Sequence, residues 1–85
     1  MRVVVTGRVQ GVFFRDTCRD HARRENVRGF VRNRADGTVE AEFEGTEPAV
    51  ERVIAWCHEG PPRANVEDVT VERIGTVGEP GFRVR

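Results

Sequence analysis

The chain has 85 residues, 38% of them hydrophobic, and this length predicts one domain, residues 1–85, near the small end of what folds unaided. Its 14 basic and 14 acidic side chains cancel, so no global charge points to a nucleic-acid or membrane partner. Two cysteines are too few for a disulfide framework or a zinc site. No apolar stretch has the length of a signal peptide or a membrane span, which makes the cytoplasm the expected location.

Charge is distributed unevenly along the chain. Residues 1–34 carry nine arginines against three carboxylates, a net +6, whereas residues 35–72 carry two arginines against ten carboxylates, a net −8. Binding of a single-stranded nucleic acid would call for aromatic side chains between the arginines, and no such ladder is present. The pattern therefore favours a small anionic ligand over a polymer.

A strand and a helix are the first two predicted elements. Residues 2–8 are rich in β-branched side chains and end at a glycine turn, which predicts a strand. Residues 16–26 have a helical pattern, and Cys18 and Ala22 continue a four-residue apolar spacing that starts at Phe14, just before this range. One face of this helix is therefore expected to be buried.

Two strands joined by a turn are predicted next. Residues 28–34 form the second strand, and residues 35–38 have the composition of a turn. Residues 39–44 alternate apolar and acidic side chains, which predicts a third strand with its glutamates on an exposed face. These glutamates are Glu40, Glu42 and Glu44. We expect them to be solvated and not to form a metal site.

A second helix and two strands complete the order. Thr46 is a good N-cap, and Gly60 ends the helical pattern. The apolar positions at helical spacing between them are Val50, Val53, Ile54 and Cys57. Residues 66–73 predict the fourth strand, and Phe82 with Val84 predicts a closing edge segment.

The order strand–helix–strand–strand–helix–strand predicts an α+β fold. It is the ferredoxin-like βαββαβ sandwich, an antiparallel sheet with two helices on one face. The first crossover makes strands one and two parallel, with strand three between them. The loop after strand one and the end of strand two then lie at the same sheet edge, roughly 10 Å apart. Asn33 occupies the end of strand two.

The loop between the first strand and the first helix has the chemistry of an anion site. Residues 7–15 read GRVQGVFFR. Successive backbone N–H groups next to a helix N-terminus attract a phosphate, and the guanidinium of Arg15 can bind two of its oxygens. The spacing matches neither nucleotide P-loops nor the dinucleotide fingerprint. From spacing alone, a plain strand–turn–helix connection with a solvated arginine accounts for the stretch equally well.

Two blocks of the chain resemble the signatures of the acylphosphatase family. The first is GRVQGVFFR at residues 7–15, and the second is GFVRNRADGTV at residues 29–39, closing at Gly45. The resemblance implies a single acylphosphatase-like domain over residues 1–85. It also implies hydrolysis of the carboxyl–phosphate bond of acyl phosphates to a carboxylate and inorganic phosphate.

The resemblance places roles on particular residues. Arg15 binds the substrate phosphate, and Asn33 positions the water for in-line attack. The backbone amides that would complete the cradle belong to Gln10, Gly11, Val12, Phe13 and Phe14. No cofactor or metal is expected, because Arg15 and the amides supply the positive charge. We expect inorganic phosphate to be both product and inhibitor, and the protein to be a monomer.

Each candidate residue also has a purely structural interpretation. Arg15 can be a solvated residue at a helix start, and Asn33 can satisfy a turn. His21 is expected to pack at a boundary and His58 to interact with a helix dipole, so neither is expected to be catalytic. The two cysteines are expected to be small core residues, although a redox link between the helices stays open.

Two other functions remain alternatives. One is a ferredoxin-like regulatory module whose cleft binds an anion without turning it over. The other is an accessory domain like the acylphosphatase-like part of larger carbamoyl-transfer maturation proteins. The short chain is expected to disfavour this second alternative. A hydrolysis assay distinguishes an enzyme from a sensor.

Overall fold

The computed structural model describes residues 1–85 as a five-stranded sheet with two helices. The strands are β1 (Arg2–Arg8), β2 (Arg28–Asn33), β3 (Val39–Glu44), β4 (Asn65–Glu72) and β5 (Phe82–Val84). The helices are α1 (Phe14–Arg24) and α2 (Glu47–Glu59). Neither helix combines the length and the apolar composition needed to cross a membrane.

The sheet has the strand order β4-β1-β3-β2-β5. β3 pairs antiparallel with both β1 and β2, so β1 and β2 run parallel to each other on either side of it. This is the predicted ferredoxin-like arrangement, and it is confirmed. The predicted closing segment forms β5, which pairs parallel with β2 and makes the sheet mixed.

Left-handed residues set both ends of α1. Phe13 has φ 65°, and the helix begins directly after it, two residues before the start predicted from the sequence. Asn26 has φ 58°, and the N–H of Val27 donates to the carbonyl of Ala22 at 2.8 Å. Asparagine tolerates this conformation at a helix end better than other side chains do. The helix therefore stops at Arg24, not at Asn26.

The core lies between the sheet and the helices. Val3, Ala41 and Val31 face one another across three strands and are at most 1% exposed. The predicted stripe of α1 is buried, and α2 contributes Ala49, Val50, Val53 and Cys57. Thr46 caps α2 as predicted, since its Oγ1 accepts a hydrogen bond from the N–H of Ala49 at 3.4 Å.

The prediction that Glu44 is exposed is wrong. Its carboxylate is buried and accepts hydrogen bonds from three consecutive backbone N–H groups, those of residues 77–79. Burial acts to raise the pKa of Glu44, but the three donors and nearby Arg28 outweigh it, and the pKa is lowered. The connection from β4 to β5 has to cross to the far edge of the sheet, and it covers this carboxylate on the way.

Candidate active site

The loop between β1 and α1 presents backbone donors that have no partner. Gly11 and Phe13 both have positive φ, 72° and 65°, on either side of Val12. None of the N–H groups of residues 10–14 donates a hydrogen bond to another protein atom, and no side chain caps α1. A concave row of free amides at a helix N-terminus is a binding site for an anion.

The two glycines of the loop motif serve different purposes. A Cβ on Gly11 would meet nothing within 4 Å, so glycine is favoured there by its positive φ and not by crowding. A Cβ on Gly7 would lie 2.1 Å from the carbonyl oxygen of Asn65, where β1 bulges against β4. Gly7 therefore supports the sheet from which the loop leaves, while Gly11 shapes the loop itself.

A cavity of about 250 Å³ lies next to this loop. Its lining residues are Val9, Gly11, Phe13, Phe14, Arg15, Asp16 and Asn33. The two polar side chains singled out in the sequence, Arg15 and Asn33, thus come from different blocks and line the same cavity. The other loop side chains point elsewhere: Val12 is buried in the core, and Gln10 contacts the turn between β2 and β3.

The guanidinium of Arg15 is free to bind a ligand. Arg15 is exposed and forms no ion pair with a carboxylate. Asp16, the only acid in the cavity lining, lies 3.8 Å from Arg19 instead. A planar cation without a protein partner, next to free amides, suits the bidentate binding of phosphate oxygens.

Strand register places Asn33 at the cavity. Asn33 pairs with Val39, which pairs with Val5, so all three lie on the helix-covered face of the sheet. A shift of one residue would move Asn33 to the opposite face. Its Oδ1 is buried and has no hydrogen-bond partner in the protein. Buried polar atoms without partners are rare, and such an atom in a cavity points to a ligand or a water.

The side chain of Gln10 has a role that the sequence did not reveal. Its Nε2 donates to the carbonyl oxygen of Arg34 at 2.8 Å and to that of Thr38 at 2.9 Å. These carbonyls begin and end the turn that follows Asn33, so Gln10 ties the anion loop to the strand end that carries Asn33. A glutamine in a loop indicates that the side chain can form hydrogen bonds, but the neighbouring sequence did not show which residues would accept them.

The histidines and cysteines lie outside the cavity, as expected. His21 stacks on Trp56 at 4.7 Å, and its pKa is lowered by burial and then by Arg24. His58 is exposed in the last turn of α2. Cys18 and Cys57 are free, fully buried thiols, and the interaction with Cys57 and then burial raise the pKa of Cys18.

Comparisons of sequence and of structure both match this chain to acylphosphatases. The model of the acylphosphatase family matches residues 1–84. An acylphosphatase of Rubrobacter xylanophilus is 57% identical over 86 residues, covering 100% of this chain and 78% of that protein. The solved acylphosphatase structure from Coxiella burnetii superposes with a TM-score of 0.95 at 39% identity, covering 99% and 88% of the two chains. The one from Bacillus subtilis superposes with a TM-score of 0.93 at 35% identity, covering 99% and 94%.

Proposed function

The chain belongs to the acylphosphatase family, and from that premise we propose how its cavity works. The protein hydrolyses the carboxyl–phosphate bond of acyl phosphates and releases a carboxylate and inorganic phosphate. In our proposal, Arg15 and the amides of residues 10–14 hold the phosphate, and Asn33 positions the attacking water. The observation that carries it is that one cavity is lined by Arg15, whose guanidinium has no carboxylate partner, by three loop residues with free amides and by Asn33, whose carboxamide oxygen has no protein partner.

A bound phosphate would offer acceptors to donors that the loop leaves free. The amides of residues 10–14 have no acceptor within the protein, and Arg15 has no carboxylate partner. Phosphoryl transfer demands little more of a protein than positioning and neutralisation of charge on the equatorial oxygens. These groups provide both, since they are fixed by the β1–α1 connection before the substrate arrives.

Asn33 would orient the water in line with the bond that breaks. It leaves the sheet on the β2 side of the cavity, whereas Arg15 enters from α1. Its carboxamide makes no hydrogen bond to the protein that would have to be broken first. Gln10 keeps the two sides in register through its bonds to the turn after Asn33.

The reaction needs no strong general acid, because the leaving group is a carboxylate that is stable without a proton. Neither histidine lines the cavity, and Asp16 is directed to Arg19. We therefore propose that the proton of the attacking water passes to a phosphate oxygen of the substrate itself. Independence from metal ions, a monomeric state and a cytoplasmic location stay predictions.

Hydrolysis of benzoyl phosphate, measured with and without a chelator, tests the function. We expect equal turnover in both. Arg15→Lys should lose nearly all activity in a folded protein, because lysine keeps the charge but not the bidentate geometry. Arg19→Lys is the matched control, since Arg19 is on the same helix and does not line the cavity. Wild-type turnover in Arg15→Lys would refute the phosphate clamp.

Inorganic phosphate should inhibit competitively and raise the melting temperature, because it binds the native state only. Phosphate binding without any hydrolysis of acyl phosphates would favour the alternative of an anion-binding regulatory module. Size-exclusion chromatography with light scattering tests the predicted monomer.

A further inference from the structure

Two adjacent aromatic residues at the site have opposite environments. Phe14 is 2% exposed and packs against Trp56 at 5.0 Å. Phe13 is 67% exposed and takes part in no aromatic pair. Phe14 thus anchors α1 in the core, whereas the ring of Phe13 contributes little to folding. Its presence needs another explanation.

The backbone at Phe13 makes an aromatic residue there more unusual. Its φ of 65° lies in the left-handed region, where glycine and asparagine cost least. It is also the N-cap of α1, a position that favours small polar residues. Neither local propensity nor core packing therefore accounts for a phenylalanine at this position. The remaining explanation is that its exposed apolar ring contacts a ligand.

Phe13 provides the exposed apolar surface of the cavity. The other large apolar side chains in the lining, Val9 and Phe14, are at most 2% exposed. The cavity volume is about 250 Å³, below the range of about 300–1,000 Å³ that is usual for sites enclosing a drug-sized ligand. A substrate with its phosphate in the cradle would therefore extend its acyl group out of the cavity, and Phe13 is the exposed large apolar residue of the lining that this group could contact.

We propose that Phe13 forms a subsite for the acyl group that favours aromatic and large apolar acyl phosphates over small ones. This inference rests on the proposed function. Contact between two rings changes affinity by about 3- to 10-fold. Because the contact exists before and during bond cleavage, it lowers KM for aromatic substrates and leaves kcat nearly unaffected.

Phosphonates that cannot be hydrolysed test the subsite without relying on catalysis. We would measure the affinities of benzylphosphonate and methylphosphonate by calorimetry in the wild type and in Phe13→Gly, Phe13→Asn and Phe13→Tyr. Glycine and asparagine both adopt the left-handed backbone and lack the ring, so damage to the cradle would weaken both ligands equally. The ratio of the two affinities isolates the ring.

We expect the wild type to prefer benzylphosphonate by about 3- to 10-fold. The ratio should fall towards one in Phe13→Gly and Phe13→Asn and be retained in Phe13→Tyr. An unchanged ratio in the first two variants would overturn the subsite. In the wild type alone, affinity should also rise along a series of alkylphosphonates of increasing length, and a flat series would count against the proposal.

Hydrolysis assays separate this inference from the function on which it rests. KM for benzoyl phosphate should rise relative to KM for acetyl phosphate in Phe13→Gly and Phe13→Asn. If the wild type hydrolysed neither substrate, the proposed function would fail and the phosphonate ratio would still decide the subsite. If it hydrolysed both and the variants kept the wild-type KM ratio, the function would stand and the subsite would be rejected.

Discussion

Replacement of Asn33 by alanine is expected to separate activity from stability. The Oδ1 atom of Asn33 is buried without a hydrogen-bond partner in the protein, so alanine leaves no other buried protein group unsatisfied. The substitution removes only a few van der Waals contacts. Whereas an average substitution lowers the free energy of unfolding by about 1 kcal/mol, Asn33→Ala should leave it nearly unchanged.

Turnover should respond in the opposite direction. Loss of one polar group that acts in the transition state commonly lowers kcat by about 100- to 1,000-fold, which is about 2.7–4 kcal/mol of activation free energy. The affinity for inorganic phosphate should change little, because Asn33 aims the water and the clamp remains. Arg15→Lys should instead lose phosphate affinity and turnover together, so the two variants form an internal comparison.

Three measurements on each variant decide the matter: urea unfolding, the rate constant for benzoyl phosphate, and phosphate affinity by calorimetry. Equal loss of phosphate affinity in both variants would mean that Asn33 belongs to the clamp, and its water-positioning role would be abandoned. A drop of about 2 kcal/mol in the unfolding free energy of Asn33→Ala would show that the carboxamide has a structural partner.

Three further predictions concern single side chains. Gln10→Leu removes two hydrogen bonds to carbonyl oxygens that each keep one backbone donor. We therefore expect the free energy of unfolding to fall by about 1–3 kcal/mol, the sum of two ordinary hydrogen bonds, and turnover to slow, as measured by urea unfolding and a hydrolysis assay. Glu44→Gln should cost about 2 kcal/mol at neutral pH, because the carboxylate accepts three amides. Since folding lowers the pKa of Glu44, the contribution of its carboxylate to stability is complete above the pKa of the unfolded chain and is lost as pH falls through the folded pKa. Unfolding experiments at pH 7 and in acid should therefore show the stabilities of the two proteins converging at low pH. Asp16→Asn should keep nearly wild-type turnover in a hydrolysis assay, because Asp16 is not expected to act as a general base. Removal of a general base lowers turnover by about 100-fold or more, so a loss of that size would contradict proton transfer to the substrate.

Local sequence was sufficient for the elements and for most of the core. The apolar stripe of α1, the Thr46 cap and the βαββαβ order follow from helical periodicity, capping chemistry and strand alternation, and the structure confirms them. The crossover rule also indicated that the loop after β1 and the end of β2 share a sheet edge. Arg15 and Asn33 could therefore be brought to one cavity from sequence and family resemblance together.

Contacts between distant parts of the chain were decided by the tertiary structure. The alternation of β3 predicted a solvated Glu44, because periodicity reports only which face a residue occupies and not what later crosses that face. The connection after β4 covers it and turns a surface carboxylate into a buried acceptor. Helix boundaries shifted for a similar reason, since the left-handed Phe13 and Asn26 are set by how the chain enters and leaves the core.

The details of the site depend on the same long-range geometry. Gln10 is 24 residues from Arg34 in sequence, so only folding could show that its side chain holds the turn beside Asn33. Helical spacing placed Phe14 on the buried stripe of α1, but nothing in the local sequence indicated where the ring of Phe13 lies. With a φ of 65°, Phe13 lines the cavity as an exposed residue, while its neighbour Phe14 enters the core. The sequence by itself determined which groups are available for chemistry, and the packing of sheet, loop and helix determined which of them meet.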